Sequence, residues 1–229
     1  MHAFFMSAVC LFIATALVSA EDTFECSLNT LWESQYVAEG REELDEGGVF
    51  STEVSFAYGG FELGAWAAVA DSVHYQQLDL SLVYGNEFHG VSWSVGYTHL
   101  EFEPGSEDDD ELATELETEL LAEVTIGAAL VYSFEADGCF LELTASRSFE
   151  LFVDGLTVTP YGLYAFDFGY RTEDYNGANH VQLGIECEYA LADDLSLIAY
   201  AAHSFAREDI EREGLGDLGW VGFGLSAVF

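Results

Sequence analysis

Apolar side chains recur at every second position through most of this chain, and that period suits an extended backbone with two unlike faces. Phe50, Thr52, Val54, Phe56 and Tyr58 share one side of a segment, with Ser51, Glu53, Ser55 and Ala57 on the other. Leu78, Leu80, Leu82 and Tyr84 alternate with Gln77, Asp79, Ser81 and Val83 in the same way. So do Val181, Leu183, Ile185, Cys187 and Tyr189 with Gln182, Gly184, Glu186 and Glu188. Such segments are half-buried strands. A soluble sandwich and a membrane barrel share this pattern. Three features choose between them. The segments run near ten residues, the length that crosses a bilayer when tilted. Bulky aromatics such as Tyr58, Phe61, Tyr84, Tyr97, Tyr132, Phe168 and Tyr189 recur at strand ends, where interfacial girdles lie. An alternating strand also runs to the last residue, Phe229. The fold class that follows is all-β, a transmembrane antiparallel up-and-down β-barrel.

Counting tests the reading, because bacterial barrels of this kind have an even number of strands. Strands read near 24–36, 49–58, 61–70, 75–84, 91–102, 124–134, 139–149, 156–170, 180–190, 195–205 and 219–229. That makes eleven. The missing strand falls on 111–120, where Leu112, Thr114, Leu116, Thr118 and Leu120 alternate with Ala113, Glu115, Glu117 and Glu119. Local evidence there favours a helix, since the three leucines are four apart and Glu is a good helix former. Closure favours a strand, because a twelfth removes the open edge and returns the C-terminus to the side of the N-terminus. Twelve strands are expected. The connections then sort by length, with short turns on the side of the termini and longer loops, 38–48, 103–110, 171–179 and 206–218, on the other. No linker or second domain is apparent.

Composition limits the rest. Half the residues are hydrophobic and 15% aromatic, which excludes disorder. Against 42 Asp and Glu stand 5 basic residues, every one an arginine, for a formal charge of −37. Such a chain is repelled by phosphate backbones, so nucleic acid is excluded as a partner. Residues 1–20 read as a secretory signal peptide: an apolar run over 3–19 closes on Val18-Ser19-Ala20 before Glu21-Asp22. Residues 21–229 then form the barrel. The three cysteines left, Cys26, Cys139 and Cys187, have no CxxC or metal-ligand spacing and read as small apolar wall residues.

No nucleophile elbow, P-loop, HExxH or EF-hand loop occurs, and no Ser sits in a motif that would activate it. No enzyme activity, cofactor or metal is expected. Asp108-Asp109-Asp110-Glu111 reads as a solvated loop. The stronger signal is where the acids fall along the strands. If the apolar face meets lipid, the opposite face carries Glu53, Glu62, Asp79, Glu115, Glu117, Glu119, Glu142, Asp167, Glu186 and Glu188 into the lumen, with Glu25 and Glu33. Arg147 alone interrupts a strand, near the side of the termini, where a long side chain can snorkel. Trp66, Phe140, Tyr161, Leu163, Ile198 and Tyr200 occupy lumen positions and fill some of the space.

The stretches SFAYGGFELGAWAA (55–68), DLSLVYG (79–85), VSWSVGYTHLEF (91–102) and HVQLGIECEYALADDLSLIAYAAHSF (180–205) resemble the TorF-type porins, small Gram-negative outer-membrane barrels. A terminal Phe after an alternating strand likewise resembles the insertion signature of bacterial outer-membrane proteins, which makes Phe229 the expected assembly signal. The resemblance implies a barrel and a pore, and no substrate. With an acid-lined lumen it suggests a channel in the cell outer membrane for passive diffusion of small hydrophilic solutes, cations above all, although acidity adopted throughout for salt tolerance would line the lumen in the same way. Its partners would be outer-membrane lipids, the barrel-assembly machinery and the small solutes. The alternative is a structural or adhesive barrel, plugged by side chains, whose acidic loops do the work.

Overall fold

The structure, a computed structural model, describes residues 23–104 and 108–229, so the signal-peptide expectation for 1–20 lies outside the described residues. Among the described residues twelve strands build the wall. They are β1 (Glu25–Glu33), β2 (Val49–Tyr58), β3 (Phe61–Ala70), β4 (Gln76–Phe88), β5 (Val91–Glu103) and β6 (Asp109–Glu119). The second half comprises β7 (Thr125–Ser133), β8 (Gly138–Ser146), β9 (Leu156–Phe168), β10 (Asn176–Ala192), β11 (Leu195–Ala206) and β12 (Leu218–Val228). Each pairs antiparallel with its sequence neighbours, and β1 pairs with β12 from Ser27↔Val228 to Glu33↔Gly222, which closes the cylinder. A two-residue strand, Phe149–Glu150, adds to β9 at one rim.

The expected twelfth strand is β6. Helix propensity at 111–120 loses to the ladder, because Glu111–Glu119 pair residue for residue with Ser133–Thr125 of β7, and Glu111–Thr118 with Thr98–Val91 of β5. A helix there would leave both of those edges without partners. The reading of 108–111 as a solvated loop needs correction. The strand already begins at Asp109, whose carboxylate accepts from the Ser133 hydroxyl at 2.5 Å and the Glu135 amide at 3.0 Å, and Glu111 is buried. Pairing partners on both sides draw that acid run into the wall.

The wall is inverted relative to a soluble protein. Leu63, Leu82, Leu116, Leu183 and Phe223 are all more than half exposed on the outer face, while Ser51, Asp79, Thr98, Glu142 and Gln182 are buried on the inner one. A monomer in water does not present so continuous an apolar skin; a bilayer requires it. Cys26, Cys139 and Cys187 are free, half-buried and on the outward positions of their strands. The start of β1 and the end of β12 lie at one end, where Cys26 and Phe229 exchange backbone hydrogen bonds of 3.1 and 2.8 Å. Turns at 59–60, 89–90, 120–124, 147–155 and 193–194 share that end. At the loop end are 34–48, 71–75, 134–137, 169–175, 207–217 and the β5–β6 connection.

The segment 34–48 departs from the expected outer loop. It forms a small hairpin, Val37–Ala38 against Arg41–Glu42, in a sheet of its own. Tyr36, Val37, Ala38, Glu39, Arg41 and Leu44 are all at most 7% exposed. The hairpin folds inward. Tyr36 and Leu44 join Val49, Trp66 and Ala68 in one apolar cluster, and Val37 joins Ala202 and Trp220 in another. Apolar side chains on a polar loop have nowhere else to bury themselves at this end of the barrel.

Candidate functional site

Strand register settles which side chains look inward. Ser51, Glu53 and Ser55 of β2 pair with Ala68, Trp66 and Gly64 of β3, and every second residue follows them around the wall. On that face the structure places Glu53 (β2), Glu62 (β3), Asp79 (β4), Glu115, Glu117 and Glu119 (β6), Glu142 (β8), Asp167 (β9), and Glu186 and Glu188 (β10). They do not form one cluster, being spread over seven strands. Some are brought level: Glu115, Ala129, Glu142, Ala165 and His180 stand in one row across β6 to β10. A single alanine therefore separates the first two carboxylates along the row.

Exposure along this face is uneven. Asp79 and Asp167 are fully buried and Glu142 is 4% exposed, whereas Glu117 and Glu119, toward the termini, are exposed and Glu188 is half-buried. Each sealed acid lies near a donor or a neighbouring strand. Asp79 accepts from Gln77 Nε2 at 2.9 and 3.0 Å, and Asp167 from the backbone amides of Tyr170 and Arg171, both at 2.8 Å. Glu53 accepts from Asn29 Nδ2 at 3.1 Å. The hydroxyls of Tyr200 and Tyr170 donate to Glu33 and Glu111. A cavity of about 50 Å³ lies among Asn29, Ser51, Glu53, Trp66, Glu186 and Tyr200. Trp66, Phe140 and Leu163 are also buried on this face, and so, nearer the termini end, are Ser55, Glu62, Ser146 and Thr159.

At the loop end the inward hairpin brings in cations. Arg41, 5% exposed, donates from Nη2 to Asp209 Oδ2 at 2.8 Å and from Nε to Glu213 Oε2 at 2.9 Å. Its Nη1 reaches Asn179 Oδ1 at 3.3 Å. Arg171 lies 2.5 Å from Glu43 and 3.4 Å from Glu39. Arg41 holds the Glu213 carboxyl below its ordinary value, while burial pushes Glu39 up to about 8 and raises Glu43. Period-2 reasoning missed these arginines because they sit in loops. The available signal was Tyr36, Val37 and Leu44, apolar residues interrupting a segment otherwise rich in acids and glycine. Arg147 lies by the other rim, 3.5 Å from Glu123 and over the Phe149 ring, with its charge at the surface. Phe229, the proposed assembly signal, is 69% exposed beside the β1–β12 seam.

No family model matches the chain, and no curated protein does. Solved structures do. A KdgM porin in complex with disordered oligogalacturonate superposes with a TM-score of 0.63 at 13% identity, covering 89% of this chain and 99% of that one. The NanC porin follows at 0.53 and 9% identity, over 89% and 98%. An outer membrane channel from Pseudomonas putida F1 matches at 0.53 and 7% identity, over 91% and 96%. At such identities the likeness is one of fold.

Proposed function

We propose that this barrel is an outer-membrane channel for passive diffusion of small hydrophilic solutes, with a preference for cations. One observation carries the reading: the ten carboxylates named above, with Glu33 and Glu111, stand on the inward face of the wall, and among the described residues no wall strand carries Lys or Arg. A lumen with one sign of fixed charge concentrates the opposite sign and excludes its own. The resemblance to TorF-type porins supports a pore, and the porin fold of KdgM and NanC supports a channel rather than an enzyme. Outer-membrane lipids would cover the apolar skin, and the barrel-assembly machinery would read the strand ending at Phe229. Loop-end and termini-end are then the extracellular and periplasmic sides.

Reversal potential across a salt gradient tests selectivity, with wild type beside Glu115→Gln/Glu117→Gln/Glu119→Gln. These three carboxylates share one face, about 7 Å between neighbours by the strand rise. Cation preference is expected at low salt, weaker in the triple variant, and weaker for both at 1 M, where the Debye length falls to about 3 Å. A wild-type pore that is non-selective or anion-selective at low salt would sink the reading. A second reading, a structural or adhesive barrel, draws on the filled loop-end mouth. Absence of conductance from every variant in planar bilayers would favour it.

A further inference from the structure

We propose that segment 34–48 is a plug latched across the loop-end mouth by Arg41 and Arg171, and that its release opens the barrel; the opening, though not the plug, rests on the channel reading above. Its attachment points to a separable part. The hairpin has a two-stranded sheet of its own, outside the barrel sheet, so side chains and two chain ends hold it. It also spans the mouth between strands that are not neighbours in the sheet. Tyr36 donates its hydroxyl to Gln77 Oε1 on β4 at 2.7 Å, while Val37 packs on Ala202 of β11 and Trp220 of β12.

The two latches run in opposite senses. Arg41 reaches out of the plug to Asp209 and Glu213 in the 207–217 loop, and Arg171 reaches from the 169–175 loop to Glu43 in the plug. Lifting the hairpin breaks both. Three seat residues, each fully buried, nonetheless keep polar atoms that lack a hydrogen-bond partner among the described residues: Asn179 Nδ2, both ring nitrogens of His180 and Asp209 Oδ1. Unmet polar atoms penalise the docked state and are relieved when water enters. Ion pairs and apolar contacts favour closure; hydration favours release. A two-state element needs such opposed terms. The tip is sterically exacting as well. Gly40 has φ +78°, and a Cβ there would lie 2.7 Å from His180 Cγ and 2.9 Å from Ile210 Cδ1.

Labelling of a cysteine beneath the plug reads release directly. In a background with Cys26, Cys139 and Cys187 changed to Ser, Ala202→Cys is reacted with a charged methanethiosulfonate in the purified, folded barrel. Arg41→Gln/Arg171→Gln should label about tenfold faster or more, as the loss of hydrogen bonds between charged groups implies. Gly40→Ala should do the same with every ion-pairing residue in place, so the test survives if the double variant fails to fold. Unchanged labelling in folded barrels of both variants overturns the plug. Single-channel conductance separates the two claims. Faster labelling with larger conductance supports both; faster labelling with no conductance from any variant supports the plug and sinks the channel.

Discussion

Glu39 shows what a carboxyl undergoes when a loop turns inward. It is 3% exposed at the hairpin tip with Arg171 3.4 Å away, yet burial dominates and pushes its pKa up to about 8. The charges of Glu43, Glu111 and Glu142 act in the same direction. For an acid whose folded pKa is raised, the stabilising contribution is complete below the unfolded value and is lost as pH rises through the folded one. Glu39→Gln should therefore behave like wild type near pH 4 and unfold at a higher temperature than wild type at pH 9. Circular dichroism melts in detergent at the two pH values check this, and the same difference between the two proteins at both would mean that burial does not raise the Glu39 pKa. Glu213 works the other way. Arg41 holds its pKa below the ordinary 4.5, so that latch is present above this value and lost as pH falls through the depressed one. Asp71 secures the hairpin's root: it accepts from the Gly48 amide at 2.9 Å and Trp32 Nε1 at 3.1 Å, and these donors, with the Ser72 hydroxyl foremost, lower its pKa.

Strand β6 separates what local pattern can say from what closure must decide. Leu116 is 53% exposed on its outer face, and Glu117 is on the inner one. Leu116→Arg should cost up to about 2–4 kcal/mol in folding into vesicles, as a cation facing lipid near the bilayer midplane does. Glu117→Arg, facing the lumen, should leave that free energy nearly unchanged while shifting the reversal potential. Similar penalties for both, measured by urea titration, would contradict the assignment of faces. Eleven strands were legible because period 2 is local: Val91, Trp93, Val95 and Tyr97 identify β5 with no knowledge of its neighbours. β6 was legible only through parity. The inward positions of Glu53, Glu142 and Glu186 follow from the same period. Their mutual levels do not, since register and tilt belong to the closed sheet. The hairpin was illegible for another reason. Its burial depends on surfaces contributed by β3, β4, β10, β11 and β12, which no window of sequence contains.

The closed cylinder depends on one pairing that spans nearly the whole chain, β1 with β12, extended at its end by the bonds between Cys26 and Phe229. Deleting Phe229 should remove that end contact and reduce the heat-modifiable, folded form recovered from outer membranes. Unchanged recovery would show that assembly reads another feature. The seam also governs the chain's history. Every other wall ladder joins sequence neighbours across a turn or loop, whereas this one waits for both ends of the polypeptide, and contacts so distant in sequence form slowly. Any sheet formed before that pairing has two bare edges and an apolar skin, features that favour sticking to copies of itself. Its 42 acids against 5 arginines then act as a transit device, since strongly like-charged chains repel one another while their edges are bare.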